Sequence, residues 1–260
     1  MAIRQLTNKG KVKMEEHKIK FKDNTEEILY FDPIPHKYYW NEENIVSATG
    51  ITSILTNASI IGNWTAKMCA EEFKKIVEAG KSYDEIQLIE MYDKIKKSAN
   101  SNMNQAGHVG SQVHEMIENY IHKGTVPEIH NDLIKKSFNK FKEWYDNQKG
   151  LELVFTETKV LSRIHKYTGT LDALFKKDNE YIIYDWKTSS GIRDSYYVQL
   201  YLYVMALEEQ LDIKINKGVI VNCTKQGKLN IAEFPVNSEM QDVAISCLKL
   251  HRFLNNKKEK

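Results

Sequence analysis

The sequence predicts an α/β protein in which helices cover a mixed sheet. Three observations predict it. From Asn63 to about Leu151, apolar residues recur at three- and four-residue intervals, as in the stripe Ile134, Phe138, Phe141 and Tyr145. From Leu153 onward, short runs rich in β-branched and aromatic residues alternate with polar clusters. Within that second half, Ser195–Gln210 is apolar on most sides, through Val198, Leu200, Leu202, Val204 and Met205, as expected of a helix buried against a sheet.

The elements follow in order. Residues 1–28 are polar and basic, with weak alternation at Ile19 and Phe21, and read as an arm or a poor edge strand. Residues 29–40 alternate around Asp32-Pro33-Ile34-Pro35 and read as a hairpin, and Ser47 to Leu55 reads as a capped short helix. Helices are expected over Trp64–Ala79, Tyr83–Lys97, Met103–His122 and Asp132–Asn147. Strands are expected at Leu153–Leu161, Thr170–Phe175, Tyr181–Lys187, Gly218–Asn222 and Leu229–Phe234, with helices at Ser195–Gln210 and Ser238–Leu254. No repeat or long linker divides the chain. The expected organisation is the arm followed by one domain over 29–260, with a hairpin and helical region in 29–150 and the sheet core in 151–260.

Composition narrows the function classes. With 42% hydrophobic and 28% charged residues, and no apolar run near the ~20 residues of a membrane span, no membrane association is expected. No apolar segment follows the charges of the N-terminus, so the expected location is the cytoplasm, or the host cytoplasm for a phage-encoded protein. Cys69, Cys223 and Cys247 are scattered without metal-ligand spacing, which argues against a disulfide framework and a zinc or iron–sulfur site. A net charge of +2 makes any phosphate-binding surface local.

The informative stretch is Gly169-Thr170-Leu171-Asp172, then Asp185-Trp186-Lys187-Thr188-Ser189, then Gln199 and Tyr203. If Asp178-Asn179 forms the turn between the two strands, position i pairs with position 357 − i and Asp172 faces Asp185. Directly opposed residues share a face with Cβ atoms ~5 Å apart, and Lys187 points the same way as Asp185. Two carboxylates beside an apolar core repel unless compensated, and a divalent cation is the natural compensator. Geometry alone also fits a solvated edge pair bridged to Lys187.

Gly-x-x-Asp, Asp-Trp-Lys-Thr and Gln-x-x-x-Tyr, preceded by Gly110-Ser111-Gln112-Val113-His114, resemble the RecB-type branch of the PD-(D/E)XK nuclease superfamily. Within it the chain is similar to phage-encoded exonucleases related to the mitochondrial genome maintenance exonuclease, over roughly residues 29–235. The resemblance implies a restriction-endonuclease-like core with an N-terminal helical region. It makes His114, Asp172, Asp185 and the backbone carbonyl of Trp186 metal ligands, and gives Lys187 the task of positioning the attacking water. Gln199 and Tyr203 would orient the lysine or the DNA. Glu118, one helical turn after His114, and Glu157, on the strand before the hairpin, are further acidic candidates. Arg163, His165, Tyr167, Thr188, Ser189 and Arg193 are expected along the DNA.

Oxygen ligands suit Mg²⁺, and one histidine ligand makes Mn²⁺ an alternative. Three cysteines exclude the four-cysteine cluster of some RecB-type relatives, and no Gly-x-x-x-x-Gly-Lys-Ser/Thr loop is present to bind ATP. The implied activity is a metal-dependent DNA exonuclease acting on single strands or DNA ends in replication, recombination or repair, with proteins of those processes as partners. A structure-specific endonuclease and a non-catalytic DNA-binding subunit on the same fold are the alternatives.

Overall fold

A computed structural model describes residues 14–256 of the chain. Of the expected arm, residues 1–13 lie outside the described residues. The rest is structured: β1 (Glu15–Lys20) pairs with β2 (Glu26–Asp32), which continues into β3 (Lys37–Trp40) and β4 (Glu43–Ile45) as an antiparallel four-stranded sheet. Ile19, Phe21, Leu29, Phe31 and Tyr38 bury one face of it against Leu161. This inward face turns the weakly patterned segment into an edge strand.

The short helix α1 (Ala48–Thr52) starts on Ser47, whose hydroxyl accepts from Gly50 N. Helix α2 (Ala58–Ile76) begins earlier than the apolar spacing indicates, because Asn57 caps it by accepting from Ser59 N. The two helices expected over Tyr83–Lys97 and Met103–His122 are one, α3 (Glu85–Lys123), 39 residues long. The polar run Ser98–Asn102 contains neither Gly nor Pro. Ser98 and Ala99 are buried, and the Ser98 hydroxyl donates to the Ile95 carbonyl, so the helix passes through. Its ends are set by the reciprocal cap of Asp84 and Gln87 and by Gly124 at φ 68. Helix α4 (Asp132–Asp146) then leads into the sheet-centred second half.

There β5 (Glu152–Ser162), β6 (Tyr167–Lys177), β7 (Glu180–Lys187), β8 (Ile215–Cys223) and β9 (Leu229–Pro235) form a mixed sheet in chain order. Helix α5 (Asp194–Gln210) provides the crossover that lets β7 and β8 run parallel, and α6 (Ser238–Asn256) closes the chain. The sheet is covered on both faces. On one, α1, α5 and α6 pack over Leu171, Leu174, Ile183 and Ile220. On the other, α3 and α4 pack over Ala173, Phe175, Ile182, Tyr184 and Trp186. Among the described residues, no helix is long and apolar enough to cross a membrane.

Candidate active site

The β6–β7 ladder has the expected register, with Ala173↔Tyr184, Leu174↔Ile183 and Phe175↔Ile182. Asp178 and Asn179 have φ 49 and 66, as a two-residue hairpin turn requires. The ladder ends at Ala173 and Tyr184, one step before the two aspartates. Where the strands part, the Trp186 N–H donates instead to Asp172 Oδ2 at 2.7 Å. The opening for a site is thus the point where one backbone donor changes from a carbonyl to a carboxylate partner.

Asp172 also departs from strict alternation. Leu171 and Leu174 enter the core beneath α5, while Ala173 and Phe175 enter the opposite one. Across from it, the β5 ladder passes from Thr156↔Ala173 to Thr158↔Leu171, and Glu157 between them sits at φ 44, strained for a side chain with a Cβ. This irregularity turns Glu157 toward the same place as Asp172. One ligand atom each from His114, Glu157 and Asp172 lies within 4.8 Å of the others.

Helix α3 brings His114 from above the sheet. Its neighbours Val113 and Ile117 are buried in the core, which fixes the ring so that Nδ1 is 3.5 Å from Asp172 Oδ1. Asp185, 1% exposed, lies beside Lys187, whose Nζ is 2.8 Å from Oδ1 and 2.7 Å from Oδ2. Both carboxylate oxygens are thus engaged by the one ammonium. Lys187 also donates to Gln199 Oε1 at 3.3 Å, and its ammonium stands 4.9 Å from the Tyr196 ring centroid.

Burial pushes the Asp185 carboxyl above its usual range, and the Asp172 charge pushes it further. Burial and Asp172 likewise raise Glu157. Burial would raise Asp172 too, but His114, Lys187 and the Trp186 N–H outweigh it and hold that carboxylate low. Burial works against the charge on His114 and on Lys187; the facing aspartates overcome it and raise both. Two of these carboxyls, Asp185 and Glu157, are thus raised, chiefly by burial and further by the Asp172 charge.

Of these groups, His114, Glu157, Asp172 and Lys187 line a cavity of about 460 Å³, and Asp185 does not; Gln199, Tyr203 and Glu118 line it too, with residues the sequence pattern did not single out: Thr49, Glu115, Lys159, and Phe31, His36 and Tyr38 of the aromatic β2–β3 hairpin. Gln199 joins the parts, since its Nε2 donates to Tyr203 Oη at 2.8 Å and to Thr49 Oγ1 at 3.3 Å. Thr49 therefore does more than begin a helix. The only signal for it was a hydroxyl left over after Ser47 had taken the cap.

Gly169 also acquires a physical reason. A Cβ there would stand 2.6 Å from Tyr203 Cε1. We expect Gly169→Ala to displace the Tyr203 ring, cost about 1–3 kcal/mol of stability and lower activity through the Gln199 contact. Denaturant melts and an activity assay check this; unchanged stability and activity would separate Gly169 from Tyr203.

None of the six residues expected along the DNA lines this cavity. Tyr167 is fully buried with its hydroxyl donating to the Leu202 carbonyl, so it belongs to the core. Arg163 is held by Asp23 at 2.8 Å and Thr25 at 2.7 Å, over the Phe21 ring, and joins the two sheets. His165 stacks beside Tyr167, and its carbonyl accepts from Arg252. Basic and aromatic residue types in a turn do not distinguish a substrate contact from a brace between layers. Thr188 lies against Gly110 of α3, Ser189 donates to the Gly191 carbonyl, and Arg193 is exposed with its guanidinium 6.0 Å from the Tyr196 ring.

Residues 122–241 match the family description of the PD-(D/E)XK nuclease superfamily. The matched segment is just under half of the chain, and Asp172, Asp185, Lys187, Gln199 and Tyr203 fall within it, while His114 precedes it. Solved structures similar to the chain include a putative exonuclease from Eubacterium rectale, 10% identical, with a TM-score of 0.37 over 55% of this chain and 64% of that one. LHK-Exo in complex with dAMP is 8% identical, with a TM-score of 0.37 over 82% and 89% of the two chains. A phage-related exonuclease from Haemophilus somnus is 12% identical, with a TM-score of 0.32 over 74% and 95%. No curated protein matches the sequence.

These residues fit a divalent cation. His114, Glu157 and Asp172 each bring one ligand atom within 4.8 Å of the others, and two carboxylates with one imidazole form a donor set suited to Mg²⁺ or Mn²⁺.

Proposed function

We propose that the protein is a Mg²⁺- or Mn²⁺-dependent DNA exonuclease acting on single strands or free ends. The observation that carries the hydrolytic reading is the convergence of His114, Glu157 and Asp172 with Lys187 in one cavity, Lys187 being paired with the buried Asp185. Asp172, Asp185, His114 and the Trp186 carbonyl would hold the ion, with Glu157 beside them. Bound there, the ion supplies Lewis-acid polarisation of the phosphate and a more acidic water.

The chain's own groups do the rest. Lys187 places a fixed ammonium, steadied by Asp185 and Gln199, where negative charge develops on the phosphate oxygens. Gln199 in turn is held by Tyr203 and Thr49, so the amide that meets the lysine is itself fixed in place. Glu118 lines the cavity one turn beyond His114.

Digestion of linear against circular single-stranded DNA under Mn²⁺ tests the reading. Loss of linear DNA alone supports an exonuclease, cleavage of the circle makes the protein an endonuclease, and no cleavage of either leaves a binding subunit. We also expect His114→Ala to raise the metal concentration for half-maximal activity about tenfold or more while changing the thermal midpoint little. A fall in midpoint with an unaltered metal requirement would make His114 a packing residue.

A further inference from the structure

The aromatic hairpin and Lys159 take no part in the proposed hydrolysis, yet they form one wall of its cavity. Lys159 projects from β5, two residues beyond Glu157. Its Nζ donates to Thr170 Oγ1 at 2.8 Å, and Tyr38 Oη shares that hydroxyl at 3.0 Å. The ammonium stands 4.6 Å from the Phe31 ring centroid and 5.8 Å from that of Tyr38. Among the described residues no carboxylate lies within ion-pair distance of it, although it is half-buried. Lys187, the other lysine of this cavity, has Asp185.

A half-buried cation seated on two aromatic faces and a hydroxyl, which feels the charges of Glu157 and Glu15 but is paired with neither, is poised for an anion. His36 strengthens the case. It is exposed at the lip of the same cavity, its ring edge-on to Phe31 at 5.0 Å, and its backbone is held at φ 53, a conformation costly for a non-glycine residue. Burial and the nearby Lys159 charge both disfavour its protonation, which an anion between the two would reverse. Position matters as well. Glu157 and Lys159 line both the metal cavity and a second one of about 680 Å³, which the β1 residues His17, Lys18 and Lys20 flank. A strand leading from one cavity to the other passes Lys159.

We propose that Lys159, with Thr170 and His36, binds a backbone phosphate of the DNA strand adjacent to the scissile one, and so positions the strand across the active site. This rests on the nuclease reading above.

The test compares DNA with a substrate that has no neighbouring phosphate. Single-stranded oligonucleotides carrying one neutral methylphosphonate at successive positions are set beside thymidine 5′-p-nitrophenyl phosphate, all under Mn²⁺. In the wild-type protein, one methylphosphonate position should raise KM about tenfold, as for loss of a charge-assisted contact. Lys159→Gln should show the same rise on ordinary DNA, no further rise with that methylphosphonate, and unchanged hydrolysis of the thymidine ester. His36→Ala, an exposed change that spares the fold, should give a smaller rise suppressed at the same position. Losses that add at every position, or an equal fall in kcat on DNA and ester, would overturn the proposal. A wild-type protein that cleaves neither substrate would instead remove the nuclease reading, and the subsite with it.

Discussion

Asp185→Asn should abolish DNA cleavage, lowering turnover about a thousandfold or more under saturating Mg²⁺ or Mn²⁺, while the protein stays folded. Asp185 is 1% exposed, and its two oxygens stand 2.8 and 2.7 Å from Lys187 Nζ. The change keeps the side chain's shape and removes one proposed ligand charge. Two opposed effects on stability follow. Ionising the raised Asp185 carboxyl costs the folded state nothing below the ordinary carboxylate range, and the cost is complete above the raised value. At pH 7.5 in EDTA the neutral amide lacks that cost but leaves the buried Lys187 ammonium without its counter-charge, so the thermal midpoint should change little. Added Mn²⁺ should raise the wild-type midpoint more than that of the variant. Retained cleavage in Asp185→Asn would take this residue out of the site.

Lys187→Ala and Lys187→Arg should both lose turnover by orders of magnitude. The ammonium sits between Asp185 at 2.7 Å and Gln199 at 3.3 Å, with the Tyr196 ring 4.9 Å from it, in a space that fits a compact charge. A planar guanidinium is larger, and its fork does not reproduce a point charge on a flexible stem. A group acting on charge that develops in the transition state changes kcat more than substrate affinity. Binding of uncut single-stranded DNA in Ca²⁺ at fixed salt should therefore change by less than about threefold. Should Lys187→Ala lose binding and keep near-normal turnover at saturating DNA, the lysine would be an ordinary phosphate contact and the proposed chemistry would fail at its centre.

Local pattern was enough for the catalytic half. The hairpin register followed from two alternating runs and a turn of Asp and Asn, residues that tolerate positive φ, so the pairing up to Ala173 and Tyr184 was readable before any fold was known, while the ladder stops one step short of Asp172 and Asp185. The burial of α5 followed from apolar residues on most of its sides. Helix continuity was less legible. The polar run after Lys97 looks like a break, and only burial of Ser98 and Ala99 carries α3 through it.

The sequence by itself determined the nuclease motifs, their order and the strand pair that brings the aspartates together, because adjacent strands fix their partners through a two-residue period and a short turn. Tertiary structure decided what depends on contacts distant in the chain. Glu157 joins His114 and Asp172 because β5 and β6 depart from regular pairing there, with strain at φ 44 that no local propensity encodes. Thr49 reaches Gln199 across 150 positions. Tyr167 and Arg163 were drawn inward and Lys159 was left facing the cavity, a division governed by which layer each side chain meets once two sheets and their helices close on one another.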